Sequence, residues 1–269
     1  MKPKPKIFEK LKDQTFVLNL TIPQNQIQSS YQSVLVSYQS KLKIDGFRSG
    51  KIPLDLVKDK VSATTLLEET ASKAISQVYS EKIKELDLKP IIQPKIKLKN
   101  PPISLDKEWE VEVTGCETPQ ITLSPNYQED IKKINLSPDK PETLVPKYYQ
   151  SFLKHSQVDL PAILIEANLS QEFSRLIDQT TQAGISVDDY FKSKNTTQKA
   201  YQDTLTQKIK EDWTINLAIS DIAKTQKIEI KSQDVEDVLA KNPGISKNVQ
   251  LVYYLLEQQK VIDYLKTLK

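Results

Sequence analysis

Apolar residues recur along most of this chain at three- and four-residue steps, the spacing of one helix face. Residues 24–44 place Ile27, Tyr31, Val34, Leu35, Tyr38 and Leu42 on one stripe, which predicts a long amphipathic helix. Pro53 suits the first turn of a following helix. A further amphipathic stretch then carries Val61, Leu66, Leu67, Ala71, Ala74, Ile75, Val78 and Tyr79. Residues 16–22 and 109–113 read as strands, with Cys116 filling a strand position just beyond the second. Residues 120–146 are polar and carry Pro125, Pro138, Pro141 and Pro146, so this stretch reads as a linker.

From residue 158 the pattern is helical almost to the end. A helix opens at Asp159 or Leu160 with Pro161 in its first turn. Its apolar side carries Ile163, Leu164, Ala167, Phe173, Leu176 and Ile177, and Gly184 stands where a C-terminal cap belongs. Ser186 and Asp189 form a capping box with an Asp in place of the usual Glu. A longer helix covers about 196–224, with Ala200, Leu205, Ile209, Trp213, Leu217 and Ile222. Ile228-Glu229-Ile230 alternates briefly, Ser232 can cap a short helix, and Asn242-Pro243-Gly244 is a turn. Ser246 can cap a last helix carrying Leu251, Val252, Leu255, Leu256, Val261, Ile262 and Leu265. No internal repeat is present.

Composition draws attention to one loop. The 269 residues include five glycines and two arginines, and two of those glycines and one arginine fall within Gly46-Phe47-Arg48-Ser49-Gly50-Lys51-Ile52-Pro53. Paired glycines suit a tight, protruding turn between the two helices. An exposed ring beside a guanidinium would supply a docking tip: apolar area to bury and a fork for phosphate or carboxylate. The plainer alternative is a helix–helix turn with Phe47 tucked inward. A nucleotide-binding P-loop does not fit, because three residues separate the glycines, Ile52 follows the lysine and a helix precedes.

Charge sharpens the picture. Residues 1–60 carry eleven Lys/Arg against five Asp/Glu, a net of +6, and the remainder carries 27 against 30. A basic excess around the loop favours a polyanion such as RNA. Charged residues make up 27% and mean hydropathy is -0.48, and no apolar run approaches the ~20 residues that span a bilayer. The start, Met1-Lys2-Pro3-Lys4-Pro5-Lys6, lacks the apolar stretch of a secretory signal. A single cysteine rules out an internal disulfide and fits a reducing compartment.

Lys43-Ile44-Asp45, followed by the glycine-bounded octapeptide, resembles the signature of the ribosome-binding domain of trigger factor, the bacterial ribosome-associated chaperone. The order of elements over residues 1–119 is similar to that domain, through Pro90-Ile91-Ile92-Gln93-Pro94 and the strand running into Cys116-Glu117-Thr118-Pro119. More weakly, residues 158–166 resemble the family's C-terminal helix start, and residues 228–236 its hinge between two helical arms. The resemblance implies an α+β ribosome-binding domain over 1–119, a linker and the start of the helical region over 120–157, and an all-helical substrate-binding domain with arms over 158–269. It implies docking on the large ribosomal subunit near the exit tunnel, against ribosomal protein and rRNA, through Gly46, Phe47, Arg48, Ser49, Gly50, Lys51, Ile52 and Pro53. Unfolded or nascent chains would be shielded in a cradle to which Val252, Tyr253, Leu255 and Leu256 are candidate contributors. The expected location is cytoplasmic with no membrane partner, and a weak homodimer is compatible with the family.

Three departures qualify this. Typical members hold a prolyl isomerase domain of the FK506-binding type between the two parts. Here about 40 residues without glycine separate Pro119 from Val158, too few for such a domain. The family's usual basic residue after the arginine is Ser49 here, and the segment after the hinge is short. No catalytic residue, metal or cofactor is expected. His155 is the only histidine, one cysteine makes no zinc cluster, and Glu68-Glu69 and Asp188-Asp189 fit solvated helix faces or helix N-termini. The alternative reading is a non-ribosomal adaptor that holds one folded partner in the helical cradle.

Overall fold

A computed structural model describes residues 7–48, 50–138, 141–241 and 248–269, with the side chains of residues 141, 142 and 241 outside that description. The basic start, Ser49, the turn at Asn242-Pro243-Gly244 and the Ser246 cap therefore lie outside the described residues. The chain divides into two units, residues 1–118 and 119–269.

In the first unit, β2 (Thr15–Ile22) buries Phe16, Leu18, Leu20 and Ile22 on one side, the period of a half-buried strand. It pairs antiparallel with β4 (Trp109–Cys116), with Ile22 opposite Trp109 and Thr15 opposite Cys116. Two short strands extend this pair, β1 (Phe8–Lys10) beside β2 and β3 (Lys95–Leu98) beside β4, giving the order β1-β2-β4-β3. These edge strands were not expected. Three or four residues of mixed Lys, Glu and apolar side chains carry too little alternation to announce a strand. Helices α1 (Gln24–Lys41) and α3 (Ala63–Glu85) supply Ile27, Ala74 and Ile75 to the core over the sheet. Trp109 is fully buried, and its indole N–H donates to the Ser104 carbonyl at 2.8 Å, so no polar cost attaches to it. At the other end of α1 a second small core gathers Val34, Leu35, Ile52, Val57 and Leu66, closed by α2 (Leu54–Lys60). The stripe along α1 thus serves two cores in sequence. Pro53 sits one place before the helix, as the residue preceding α2, rather than inside its first turn.

The second unit corrects the linker expectation for 120–146. This stretch holds β5 (Ile121–Leu123), α4 (Tyr127–Asn135) and the start of α5 (Pro141–His155), with Pro146 inside that helix. A proline within a helix removes one backbone donor, but Tyr148 and Phe152 just beyond it are both fully buried, and that packing offsets the loss. Tyr127, Ile131, Tyr148 and Phe152 belong to one core with Ala218, Ile219, Ile222, Val261 and Leu265. The unit is helical except for a two-stranded ribbon, β5 against β6 (Ser156–Val158), which the all-helical expectation omitted. Strands of three residues leave no period to read.

The remaining helices are α6 (Ala162–Gln182), α7 (Val187–Ser193), α8 (Gln198–Thr225), α9 (Ser232–Lys241) and α10 (Val249–Thr267). Gly184, at φ +69°, ends α6, with Ile185 N–H bonding back to Thr180 O at 3.0 Å. Ile177, expected on the apolar side of α6, is exposed instead. Ser186 caps α7 by accepting from Asp189 N–H at 3.1 Å. Ser232 is the first residue of α9 rather than the residue before it. Asp234, in its first turn, reaches back to accept from Lys231 N–H at 3.0 Å. The cap of α10 is Asn248, whose side-chain oxygen accepts from Leu251 N–H at 3.1 Å. Ile228-Glu229-Ile230 lies outside any strand. The far end of α10 is held by Asn135, which donates to the carbonyls of Leu265 and Leu268, both at 2.8 Å, and accepts from Tyr148 OH at 2.5 Å. That clamp satisfies carbonyls which a helix terminus otherwise leaves unpaired.

Candidate functional site: the loop between α1 and α2

The loop between α1 and α2 turns twice. Phe47 N–H donates to Ile44 O at 3.1 Å, and Lys51 N–H donates to Arg48 O at 2.9 Å. Gly46 at φ +85° and Gly50 at φ +79° supply the left-handed backbone that these turns require. A Cβ built at either position meets nothing within 4 Å, so the need for glycine is conformational rather than spatial. A side chain there would cost roughly 1–2 kcal/mol of backbone strain.

The eight candidate residues do not share one role. Phe47 is 43% exposed, and Gly46, Arg48 and Lys51 are also exposed. Of the two readings left by the sequence, the turn with Phe47 tucked inward is therefore not the one adopted. Ile52 is 0% exposed and is packed among Leu35, Val57 and Leu66. It anchors the loop and presents nothing outward. Ser49 is not described. Among the described residues no carboxylate pairs with Arg48 or Lys51. The tip therefore offers a ring and two cations together.

Gln39 holds this geometry, though nothing in the sequence singles it out. Its amide Nε2 donates to Ile52 O at 2.6 Å, and its backbone carbonyl accepts from Gly50 N–H at 3.1 Å. Two bonds from the last turn of α1 thus tie down the exit of the loop. A glutamine on a polar helix face has no spacing signature that marks such a role.

The cradle candidates also divide. Val252 is fully buried, so this candidate presents nothing to a client. Tyr253 and Leu255 are more than two-fifths exposed, and Leu256 is half-buried. Val249, Leu251 and Tyr254 join the exposed set and were missed. Tyr254 OH donates to Asn216 Oδ1 at 2.8 Å, linking α10 to a cleft of about 470 Å³ between α6 and α8. Leu205, Ile209 and Trp213 line that cleft, rimmed by Glu172, Arg175, Lys208 and Asp212.

Cys116 is buried at the end of β4, and burial pushes its thiol up to about 11, so it is not a reactive thiolate. His155 Nε2 lies 2.8 Å from Asp130 Oδ2, as does Lys154 Nζ. Hydrogen bonds from Lys154 and then His155 hold the Asp130 carboxyl down at about 2, against an ordinary 3.8. Because the folded value is the lower one, this carboxylate adds stability above about pH 4 and loses it as pH falls towards 2. Urea midpoints measured from pH 5 down to pH 2 should therefore fall less steeply in Asp130→Asn than in the parent chain. Equal slopes would show that the network contributes nothing to acid sensitivity.

Comparisons with known proteins agree with this architecture. The family model described as "Bacterial trigger factor protein (TF)" matches residues 6–143, and that described as "Bacterial trigger factor protein (TF) C-terminus" matches residues 141–268. The chain is 34% identical over 119 residues to trigger factor of Borreliella afzelii (strain PKo), covering 42% of this chain and 25% of that one. It is 34% identical over 131 residues to trigger factor of Rickettsia prowazekii (strain Madrid E), covering 48% and 27%. With trigger factor of Staphylococcus carnosus (strain TM300) it shares 24% over 165 residues, covering 61% and 36%. The matched part is thus about a quarter to a third of those relatives' own length. A solved structure from work on promiscuous substrate recognition in folding and assembly activities of the trigger factor chaperone aligns with TM-score 0.60 and 12% identity, over 96% of this chain and 98% of that one. The fold is accordingly that of a trigger factor. The chain belongs to the bacterial trigger factor family.

The two family matches meet at residues 141–143, so no stretch of domain size separates them. The structural division falls earlier, after residue 118, because Tyr127 and Ile131 pack with the C-terminal core.

Proposed function

We infer that this chain is an ATP-independent chaperone that docks on the large ribosomal subunit in the cytoplasm through the 46–53 loop and shields apolar segments of emerging chains with its C-terminal unit. The observation that carries this reading is the exposed pair Phe47 and Arg48, set between two left-handed glycines above the buried Ile52. Phe47 buries against a ribosomal protein, while Arg48 and Lys51 meet phosphate or carboxylate. Exposed Leu251, Tyr253, Tyr254 and Leu255 on α10 and the neighbouring α6–α8 cleft support the shielding role, since apolar groups of this size held in water favour an apolar partner.

The test is co-sedimentation of the full chain with ribosomes at two salt concentrations, alongside suppression of aggregation of an unfolded client. Binding should weaken as salt rises, since each phosphate contact contributes about -0.7 to -0.9 to the log–log slope. A chain that neither sediments with ribosomes nor keeps a client soluble would overturn the reading. One stoichiometric co-purifying partner without ribosomes would favour the adaptor alternative. In a proline-isomerisation assay on a short peptide, the expected rate is the uncatalysed background, and a clear acceleration would contradict the non-enzymatic reading.

A further inference from the structure

The segment 41–51 carries four cations, Lys41, Lys43, Arg48 and Lys51, and a single carboxylate, Asp45. Asp45 is exposed. Among the described residues no cation pairs with its carboxylate and no hydrogen bond holds it. Two carboxylates on the neighbouring helices are placed differently. Asp55 pairs with Lys58 at 3.0 Å, and Glu69 accepts from Tyr38 OH.

Local structure gives Asp45 no task. The bond from Phe47 N–H to Ile44 O closes a four-residue turn, with Gly46 at φ +85° in its third place. That is the pattern of a type II turn, which requires a residue such as glycine in the third place and favours proline in the second. Asp45 holds the second place and bonds no backbone amide there. The small core beneath the loop does not include it. Its charge can therefore be removed without disturbing turn or core.

That charge matters to a partner. A carboxylate among four exposed cations lowers the attraction of the loop for phosphate, so a tip meant for RNA alone would gain from a neutral residue here. The same carboxylate becomes favourable against a partner that presents cations of its own. Order along the loop separates the two chemistries: Asp45 precedes the ring of Phe47, while Arg48 and Lys51 follow it. Discrimination between partners often relies on such a repulsive element beside the attractive ones.

On the docking reading given above, we propose that Asp45 is a specificity-determining residue of the tip. Its carboxylate pairs with a basic side chain of the ribosomal protein that receives Phe47, and it disfavours RNA that lacks such a protein surface beside it. The test compares the full chain with Asp45→Asn and Asp45→Glu, on intact ribosomes and on protein-free ribosomal RNA, at one low salt concentration. Asp45→Asn should bind ribosomes about two- to fivefold more weakly, the range of one exposed ion pair, and should bind the free RNA as well as the parent or more tightly. Asp45→Glu keeps the charge and should stay close to the parent on both. Unfolding midpoints of the two variants should match the parent's, because the side chain has no partner to lose. Tighter binding of Asp45→Asn to ribosomes as well as to RNA would show that the carboxylate faces phosphate, and would overturn the proposal. So would unchanged binding to ribosomes, or equal weakening on ribosomes and on free RNA. A parent chain that fails to sediment with ribosomes would overturn the docking reading itself and this role with it, whereas parent binding with an unaffected Asp45→Asn variant would remove the role of Asp45 alone.

Discussion

Replacing Phe47 and Arg48 together with alanine is expected to lower the ribosome affinity of this chain about a hundred-fold while leaving its unfolding midpoint within a degree or two of the parent value. The size follows from what each side chain has left to gain. Phe47 is 43% exposed, so a partner can remove from water only the part of the ring that the fold leaves open, worth about 1 kcal/mol. A charge-assisted hydrogen bond from Arg48 to phosphate or carboxylate adds about 1.5–3 kcal/mol. Together these approach the ~2.7 kcal/mol that corresponds to a hundred-fold change in Kd. Stability should hardly move, because neither side chain belongs to a core. The single variants should separate by their salt dependence. Losing Arg48 should lower the log–log salt slope by about 1, and losing Phe47 should leave it unchanged. Parent-like sedimentation of the double variant would show that the loop is not the docking element.

Legibility in the sequence tracked the strength of the local signal. The stripe on α1 was readable because six apolar residues repeat over a helix of five turns, and Ile27, Val34 and Leu35 are indeed buried. The loop stood out because glycine and arginine are scarce in this chain. Within the loop, though, nothing in the sequence separated Ile52, which faces the core, from Phe47, which faces water. Both are large and apolar, and only tertiary packing sorts them. Val252 and Tyr253 pose the same problem, since adjacent residues on a helix differ by 100° in direction and either could lead the buried face. The region 120–146 was misread because four prolines outweighed a short apolar set, and Tyr127, Ile131, Tyr148 and Phe152 form a core only when α4, α5, α8 and α10 come together. Helix caps were legible only in part: Ser186 caps α7 as expected, whereas at α9 it is Asp234, two residues past Ser232, that bonds back to Lys231 N–H, because polar residues that can cap stand close together near a terminus.

Ile52→Ala provides the complementary result, a loss of docking with both contacting side chains intact. Ile52 is 0% exposed in a small core with Val34, Leu35, Val57 and Leu66, so truncating it opens a cavity beneath the loop. Such a change costs about 2–5 kcal/mol, whereas Ile52→Val costs about 0.5–1.5 kcal/mol. The weakened element is the one that orients the tip. Ile52 O accepts from Gln39 Nε2 at 2.6 Å, and Gly50 N–H donates to Gln39 O at 3.1 Å, so the glycine turn and the buried anchor move together. Denaturant unfolding should show the loss of stability, and ribosome sedimentation well below the unfolding midpoint should show weakened binding in Ile52→Ala and near-parent binding in Ile52→Val. Gln39→Ala removes the side-chain bond without opening a cavity, and should weaken docking more than its effect on stability would suggest. If Ile52→Ala were destabilised and yet docked as well as the parent, the tip would hold its shape without the core beneath it, and the anchoring role assigned to Ile52 would fall.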